Sequence, residues 1–378
     1  MTNINTKKGK SKRIFYFDAL RALAIISVIM FHVFLLLNYA VFADYARVPS
    51  LNWFITDFLG TFFRCGVDIF LMLSGALSLG RVWEIKPFLA KRLPRIVYPF
   101  LLWGFILCIV IFLISIFIPD SVVLMQKYGF GTFASYDLGG FIQFLLNAYV
   151  AKSRIWFRPY WFFWMILGTY LIMPIINKWL LHSDLKEAEY FLGLWLITCL
   201  FTFTLNIQFP IKLNYFTGAI GMVVLGYYLR HTKRKIFNNV YVGIAMTVIS
   251  AALMILVSYW LSDTTDIYYF SRYSIFLAFE SAGLFLIFKN FSQLNLNFKF
   301  LKNPDGIFRK SVFSIAKYSY GIYLIHHVIM CIIFLLLIKV LNFRLLAIVL
   351  FVGGLLISIL ILAILNRVPH IKNYIGAK

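Results

Sequence analysis

Long apolar runs, separated by short polar and basic stretches, occupy most of this chain. A helix needs about 20 apolar residues to span a bilayer. The pattern predicts an all-α fold, a polytopic membrane bundle of about ten transmembrane helices. A shorter apolar stretch at 139–150 predicts a helix at the membrane interface. The predicted spans are 16–39, 60–80, 96–118, 160–181, 189–208, 213–230, 240–261, 272–289, 315–339 and 345–366.

The distribution of basic residues predicts the orientation of these spans. If the N-terminus lies in the cytoplasm, most of the 36 Lys and Arg residues fall in cytoplasmic segments. This is the asymmetry that the positive-inside rule describes. An even number of spans then leaves both termini cytoplasmic.

The composition agrees with a membrane protein. The chain is 62% hydrophobic with a mean hydropathy of +0.86, whereas soluble domains are about 45–50% apolar. The net charge of +22 reflects basic loops and does not indicate nucleic acid. The 4 cysteines lie within or at the edges of apolar runs, so we expect no extracellular disulfide framework.

We expect one membrane domain with short tails. Residues 1–12 are polar and basic, which predicts a disordered tail that touches anionic lipid. Residues 13–370 form the integral-membrane domain, and 371–378 form a short cytoplasmic tail.

The first span carries two polar groups on one face. Arg21 and His32 are eleven residues apart, which is about three helical turns and about 16 Å along the axis. Asp18 lies three residues before Arg21 and can pair with it. The spacing predicts an anion-binding group near one membrane surface and a base near mid-depth. The alternative is that Arg21 reaches lipid headgroups and His32 makes an interhelical hydrogen bond.

The second span begins with a charged pair. Arg64 and Asp68 are four residues apart near the predicted exterior end, which indicates either a substrate contact or a stabilising ion pair. Ser74 and Gly75 lie deeper, where small residues favour close helix packing.

A basic stretch leads into the third span. Arg92 and Arg95 flank Pro94 within Lys91–Pro99, which predicts a stiff basic turn. Such a cluster can hold phosphate groups, although positive-inside charge alone would also explain it.

Aromatic residues dominate the fourth span. Trp161 and Tyr170 could stack on sugar faces at an exterior carbohydrate site. Interfacial aromatic belts have the same composition.

The ninth span carries a histidine pair. Tyr323 and His326 are candidates for positioning a substrate or a base, and Glu280 of span eight could orient an imidazole. A metal site from His32, His326 and His327 is the alternative interpretation, but adjacent residues of a helix point to different faces. We therefore predict no metal.

Taken together, these motifs resemble the integral-membrane acyltransferase family 3. The resemblance covers about residues 13–366. Two features differ from many relatives: the stretch from Trp161 to Tyr170 has no glutamate, and no esterase-like domain follows span ten. The motifs in chain order are Asp18–Ala24, Arg21 with His32, Phe70–Gly75, Lys91–Pro99, Trp161–Pro174, Gly226–Leu229 and Gly321–His326.

The resemblance implies acyl transfer from cytoplasmic acyl-CoA, acetyl-CoA first, to a hydroxyl of a cell-envelope carbohydrate. No permanently bound cofactor is expected. The implied location is a bacterial inner membrane, and a homo-oligomer is compatible with the sequence. The rival interpretation is a transporter or flippase of a cell-surface glycan or its precursor.

The resemblance and the motifs together assign roles to the candidate residues. His32 would act as general base or transient acyl carrier. The supporting catalytic residues would be Arg21, Glu280 and His326; the donor-binding residues Arg21, Arg92 and Arg95; and the acceptor-binding residues Arg64, Asp68, Trp161, Tyr170 and Tyr323.

Overall fold

The computed structural model describes residues 13–41, 58–150, 155–207, 218–260, 271–295 and 305–377, together with residues 152, 211 and 303. Throughout these residues the regular structure is helical, with no strand, so the all-α prediction is confirmed. The predicted tail at 1–12 lies outside the described residues.

The α-helices are numbered here in chain order within the described part of the chain. They are α1 (Phe15–Val41), α2 (Gly66–Ser78), α3 (Ile85–Phe117), α4 (Pro119–Lys127), α5 (Leu138–Tyr149), α6 (Trp161–His182), α7 (Leu185–Thr198), α8 (Ala219–His231), α9 (Val240–Trp260), α10 (Ile275–Lys289), α11 (Ile307–Leu337) and α12 (Phe343–Leu365).

The described residues contain 7 helices that are long and apolar enough to cross a membrane. They coincide with seven of the predicted spans. The other three predicted spans fall on α7, α8 and α10, which have 14, 13 and 15 residues. A helix of 15 residues is about 22 Å long, less than the bilayer core of about 30 Å. The count of ten and the orientation therefore stay predictions.

Among the seven membrane-length helices of the described residues, α11 and α1 are the most deeply buried. In the apolar stretch of α11, 72% of residues are buried inside the bundle, against 67% in α1 and 22% in α12. Helix α1 contacts α2, α10, α11 and α12. Polar groups on α1 and α11 are thereby kept away from lipid, where they would be costly.

Helices α2 and α8 cross with their backbones in contact. A Cβ atom at Gly75 would overlap the backbone carbonyl of Val223, and one at Gly226 would overlap the backbone of Met72. The prediction that Gly75 serves close helix packing is confirmed, since no side chain fits between the two backbones.

Replacing Gly75 by leucine is expected to destabilise the bundle. Overpacking costs about 1–3 kcal/mol even where side chains can move, and here the obstacle is backbone. We expect a lower melting temperature of the purified protein in detergent, or loss of the monodisperse peak. Gly168→Leu is the matched control, because Gly168 is exposed and a Cβ there would meet no atom within 4 Å. Equal melting temperatures for both variants would contradict the prediction.

Candidate functional site

Three histidines meet between α1 and α11. His32 is 7% exposed, His326 0% and His327 3%. The Nδ1 atom of His32 lies 3.1 Å from Nε2 of His326. The ring centroid of His32 is 5.1 Å from that of His326 and 4.8 Å from that of His327.

The hydrogen bonds define which nitrogen of each ring carries a proton. Nδ1 of His326 lies 2.9 Å from the carbonyl oxygen of Ile322. A carbonyl only accepts, so this Nδ1 donates and Nε2 of His326 is an acceptor. Nδ1 of His32 then donates to His326, which leaves Nε2 of His32 as the nitrogen with a lone pair.

His327 donates its hydrogen bond from the other ring nitrogen, Nε2. Its Nε2 donates to the carbonyl oxygen of Ile155 at 2.8 Å. Its Nδ1 is buried and has no hydrogen-bond partner. His326 and His327 leave α11 in different directions, as expected, but both still reach one site with His32. Helix α1 packs against α11 so that His32 lies close to both rings.

A cavity of about 220 Å³ opens beside His32. We call it the His32 cavity. Three of its lining residues are arginines, and they come from three separate connecting segments before α2, α6 and α10. The Arg272 guanidinium lies 3.5 Å from the centroid of the Trp161 ring. The lining is Val28, Phe31, His32, Leu35, Phe63, Arg64, Val67, Arg158, Pro159, Trp161, Arg272 and Tyr323.

The three histidines could be read as a metal centre, since one ligand atom from each lies within 4.8 Å of the others. The hydrogen bond between His32 and His326 occupies two of those nitrogens. A divalent cation would also add charge beside the arginines of the His32 cavity, which is unfavourable in a low-dielectric interior. The set fits a proton relay better than a metal ion.

A larger cavity of about 640 Å³ contains the predicted donor-binding residues. We call it the Arg92 cavity. Arg21, Arg92 and Arg95 line it, together with Tyr170. Nη1 of Arg21 donates to Asp18 at 3.1 Å. Nη2 of Arg92 donates to the hydroxyl of Ser78 at 2.8 Å.

The basic stretch beside this cavity is helical, which corrects the predicted turn. Helix α3 contains both Pro94 and Pro99. Each proline removes one backbone donor from the helix. The hydroxyl of Tyr320 donates to the carbonyl oxygen of Ile96, 2.7 Å away. Arg92 and Arg95 therefore project from a helix.

The C-terminal segment folds back onto the Arg92 cavity. Residues Asn373, Tyr374, Gly376 and Ala377 line it. The indole Nε1 of Trp103 donates to the carbonyl oxygen of Ile375 at 3.3 Å. The segment predicted as a short tail is thus packed against the bundle as far as residue 377.

Tyr323 lies between the two cavities. Within the described part of the chain it is the one residue that lines both. Its hydroxyl donates to the carbonyl oxygen of Pro159, which lines the His32 cavity. The phenol ring therefore forms a partition between them.

The predicted residues divide into three groups. Arg64, Trp161 and Tyr323 line the His32 cavity with His32 itself. The predicted donor-binding arginines and Tyr170 line the Arg92 cavity. His326 supports His32.

Asp68 and Glu280 lie outside both cavity linings. Both are buried, and none of their carboxylate oxygens has a hydrogen-bond partner. Arg64 therefore interacts with Asp68 through its charge and without a hydrogen bond. Glu280 does not orient an imidazole, because His326 holds His32 instead.

Arg158 and Arg272 line the His32 cavity but were not predicted as site residues from the sequence. The positive-inside pattern places both only among the exterior basic residues. The available signal was their position immediately before aromatic helices, at Arg158–Tyr160 and ahead of α10. Their convergence depends on how the helices pack.

A buried cluster of three histidines and two cavities inside a helical membrane bundle are the features of a membrane enzyme with an interior site. A family model described as an acyltransferase domain matches residues 14–363. No curated protein and no solved structure matches the chain. The chain belongs to acyltransferase family 3.

Proposed function

We propose that the protein is a membrane O-acyltransferase that uses cytoplasmic acyl-CoA, acetyl-CoA first, and acylates a hydroxyl of a cell-envelope carbohydrate. The proposed location is a bacterial inner membrane. The observation that carries the proposal is the histidine relay. His326 holds His32 so that Nε2 of His32 keeps a lone pair at the edge of a cavity.

The Arg92 cavity is the proposed donor site. Its volume of about 640 Å³ lies within the range of about 300–1,000 Å³ for small-molecule sites. Guanidinium groups bind phosphate by two parallel hydrogen bonds, and CoA carries several phosphates. Arg21 and His32 lie about 16 Å apart along α1. A donor whose phosphates bind at the arginines can thus extend its thioester towards His32.

The reaction follows from the free lone pair. Nε2 of His32 removes the proton of the acceptor hydroxyl, and the oxygen attacks the thioester carbonyl. The tetrahedral intermediate expels the CoA thiolate, which takes the proton back from His32. The products are the acyl ester and CoA. The same lone pair could instead accept the acyl group transiently, with the acceptor attacking in a second step.

The proposal is tested by label transfer from acetyl-CoA that is radiolabelled in its acetyl group. Membrane vesicles with the protein, supplied with envelope glycan, should consume the label and yield acetylated carbohydrate. Vesicles without the protein should not. Glycan movement across the vesicles without consumption of any acyl-CoA would overturn the proposal in favour of a transporter.

Loss of the donor-binding arginines is expected to raise the KM for acyl-CoA. A hydrogen bond to a charged group contributes about 1.5–3 kcal/mol, so Arg92→Gln or Arg95→Gln should raise this KM about tenfold or more. The kcat at saturation should change little, because the contact is present in ground and transition states. The measurement is initial rate against acyl-CoA concentration.

Lys91→Gln is the matched control for this prediction. Lys91 is an exposed cation next to Arg92 in α3, outside the lining of the Arg92 cavity. An equal rise in KM for Lys91→Gln would show that general surface charge, and not the cavity, attracts the donor.

A further inference from the structure

The charge of the His32 cavity indicates what kind of acceptor it takes. Among the described residues, its lining contains Arg64, Arg158 and Arg272 and no carboxylate. Arg64 and Arg158 also have contacts within the protein, so the observation is the sign of the charge that lines the space. Positive charge in a membrane interior is costly unless an anion offsets it.

Asp68 offsets part of this charge, because its carboxylate interacts electrostatically with Arg64 and Arg272. Asp68 is buried, and neither of its oxygens accepts a hydrogen bond. It also lies outside the residues that line the cavity. As far as the described residues define it, the surface that faces the cavity therefore presents guanidinium groups and no acidic group.

One face of the Trp161 ring in this cavity is already occupied. The guanidinium of Arg272 covers the Trp161 ring at 3.5 Å from its centroid, which is a close cation–π contact. A sugar ring cannot stack on that same face. The contact instead holds Arg272 in the wall of the cavity.

We propose that the His32 cavity binds an anionic group of the acceptor, a carboxylate or a phosphate, close to the hydroxyl that is acylated. This inference rests on the proposed function and specifies its acceptor class: an acidic sugar or a phosphate-bearing polyol. Guanidinium groups suit both anions because their paired N–H groups match two oxygens. The cavity of about 220 Å³ has room for one such unit and not for a long glycan.

An anionic acceptor also improves the chemistry at His32. Proton removal turns the imidazole into a cation, which the neighbouring arginines disfavour. A carboxylate or phosphate bound among them offsets their charge. The base then works best when the anionic acceptor is present, so acceptor choice and catalysis are linked.

Binding of matched probes to the purified protein in lipid nanodiscs tests the inference. The tritiated pairs are glucose with glucuronic acid, N-acetylglucosamine with N-acetylmuramic acid, and glycerol with glycerol 3-phosphate. The first two pairs add a carboxylate and the third a phosphate. We expect an anionic member to bind at least about tenfold more tightly than its neutral partner, and the difference to shrink with added salt.

Arginine variants test whether the preference for anionic probes arises in the His32 cavity. Arg158→Gln and Arg272→Gln should each weaken the anionic probe about tenfold, while the corresponding lysine variants retain part of the affinity. Arg344→Gln is the control, because Arg344 is an exposed arginine at the start of α12, outside this cavity. Variants are compared only where their melting temperatures match the wild type.

Three outcomes would overturn the inference: equal binding of neutral and anionic partners, no binding of any anionic probe, or binding of inorganic phosphate alone. Acetyl transfer to neutral sugars that is unaffected by the arginine variants would overturn it while leaving the proposed function intact. Anion-selective binding without any acyl transfer would support the anion site but contradict the acyltransferase proposal.

Discussion

Replacing His32 by alanine is expected to lower acyl transfer by about 10²–10⁴-fold, the usual contribution of a positioned general base. The structure gives a specific reason. Nδ1 of His32 is engaged with His326 at 3.1 Å, so Nε2 is the nitrogen that can take the acceptor proton. The measurement is the rate of label transfer from acetyl-CoA at saturating donor.

Two further variants separate the chemical role of His32 from a structural one. His182→Ala should leave the rate unchanged, since His182 is exposed at the end of α6. His326→Phe should lower kcat because Nδ1 of His32 loses its acceptor, and His326→Gln should restore part of the rate through its amide oxygen. Full transfer by a well-folded His32→Ala protein would rule out the histidine mechanism.

Replacing Tyr323 by alanine is expected to uncouple donor consumption from transfer. Tyr323 separates the Arg92 cavity from the His32 cavity and bonds the carbonyl of Pro159. Removing its ring joins the two spaces and admits water to the thioester. Water then attacks the thioester carbonyl, and free acetate and CoA are released. We expect a several-fold rise in CoA release without acceptor and a fall in acylated product.

Tyr323→Phe is the matched control. It keeps the ring, which packs 5.1 Å from Phe162, and loses only the hydrogen bond to Pro159. Its ratio of CoA released to acyl group transferred should stay near that of the wild type. If Tyr323→Ala keeps that ratio as well, Tyr323 is not the partition.

The spacing of residues along a helix was enough to predict where Arg21, His32 and Gly75 lie. Helix α1 places Arg21 at the Arg92 cavity and His32 at the other one. That separation depends only on residue spacing and helical rise. The same reasoning placed Gly75 at a helix crossing, since small residues in apolar helices permit close approach.

Contacts between side chains of different helices could not be predicted from residue spacing. His326 and His327 point in different directions from α11, yet both rings lie within about 5 Å of His32. Arg158 and Arg272 lie in segments far apart in the chain and meet in one cavity. Asp68 was predicted either to contact substrate or to form an ion pair with Arg64, but it lies outside the cavity lining and neither of its oxygens is hydrogen-bonded.

The sequence by itself determined the all-α membrane class, the family, and the spacing of Arg21 and His32 along α1. These depend on hydrophobicity and helical period, which are local properties. The tertiary structure alone decided the histidine relay, the partition at Tyr323 and the arginine-lined cavity. Those features require side chains from different helices to meet, and the angle and depth at which helices pack are set by contacts throughout the bundle.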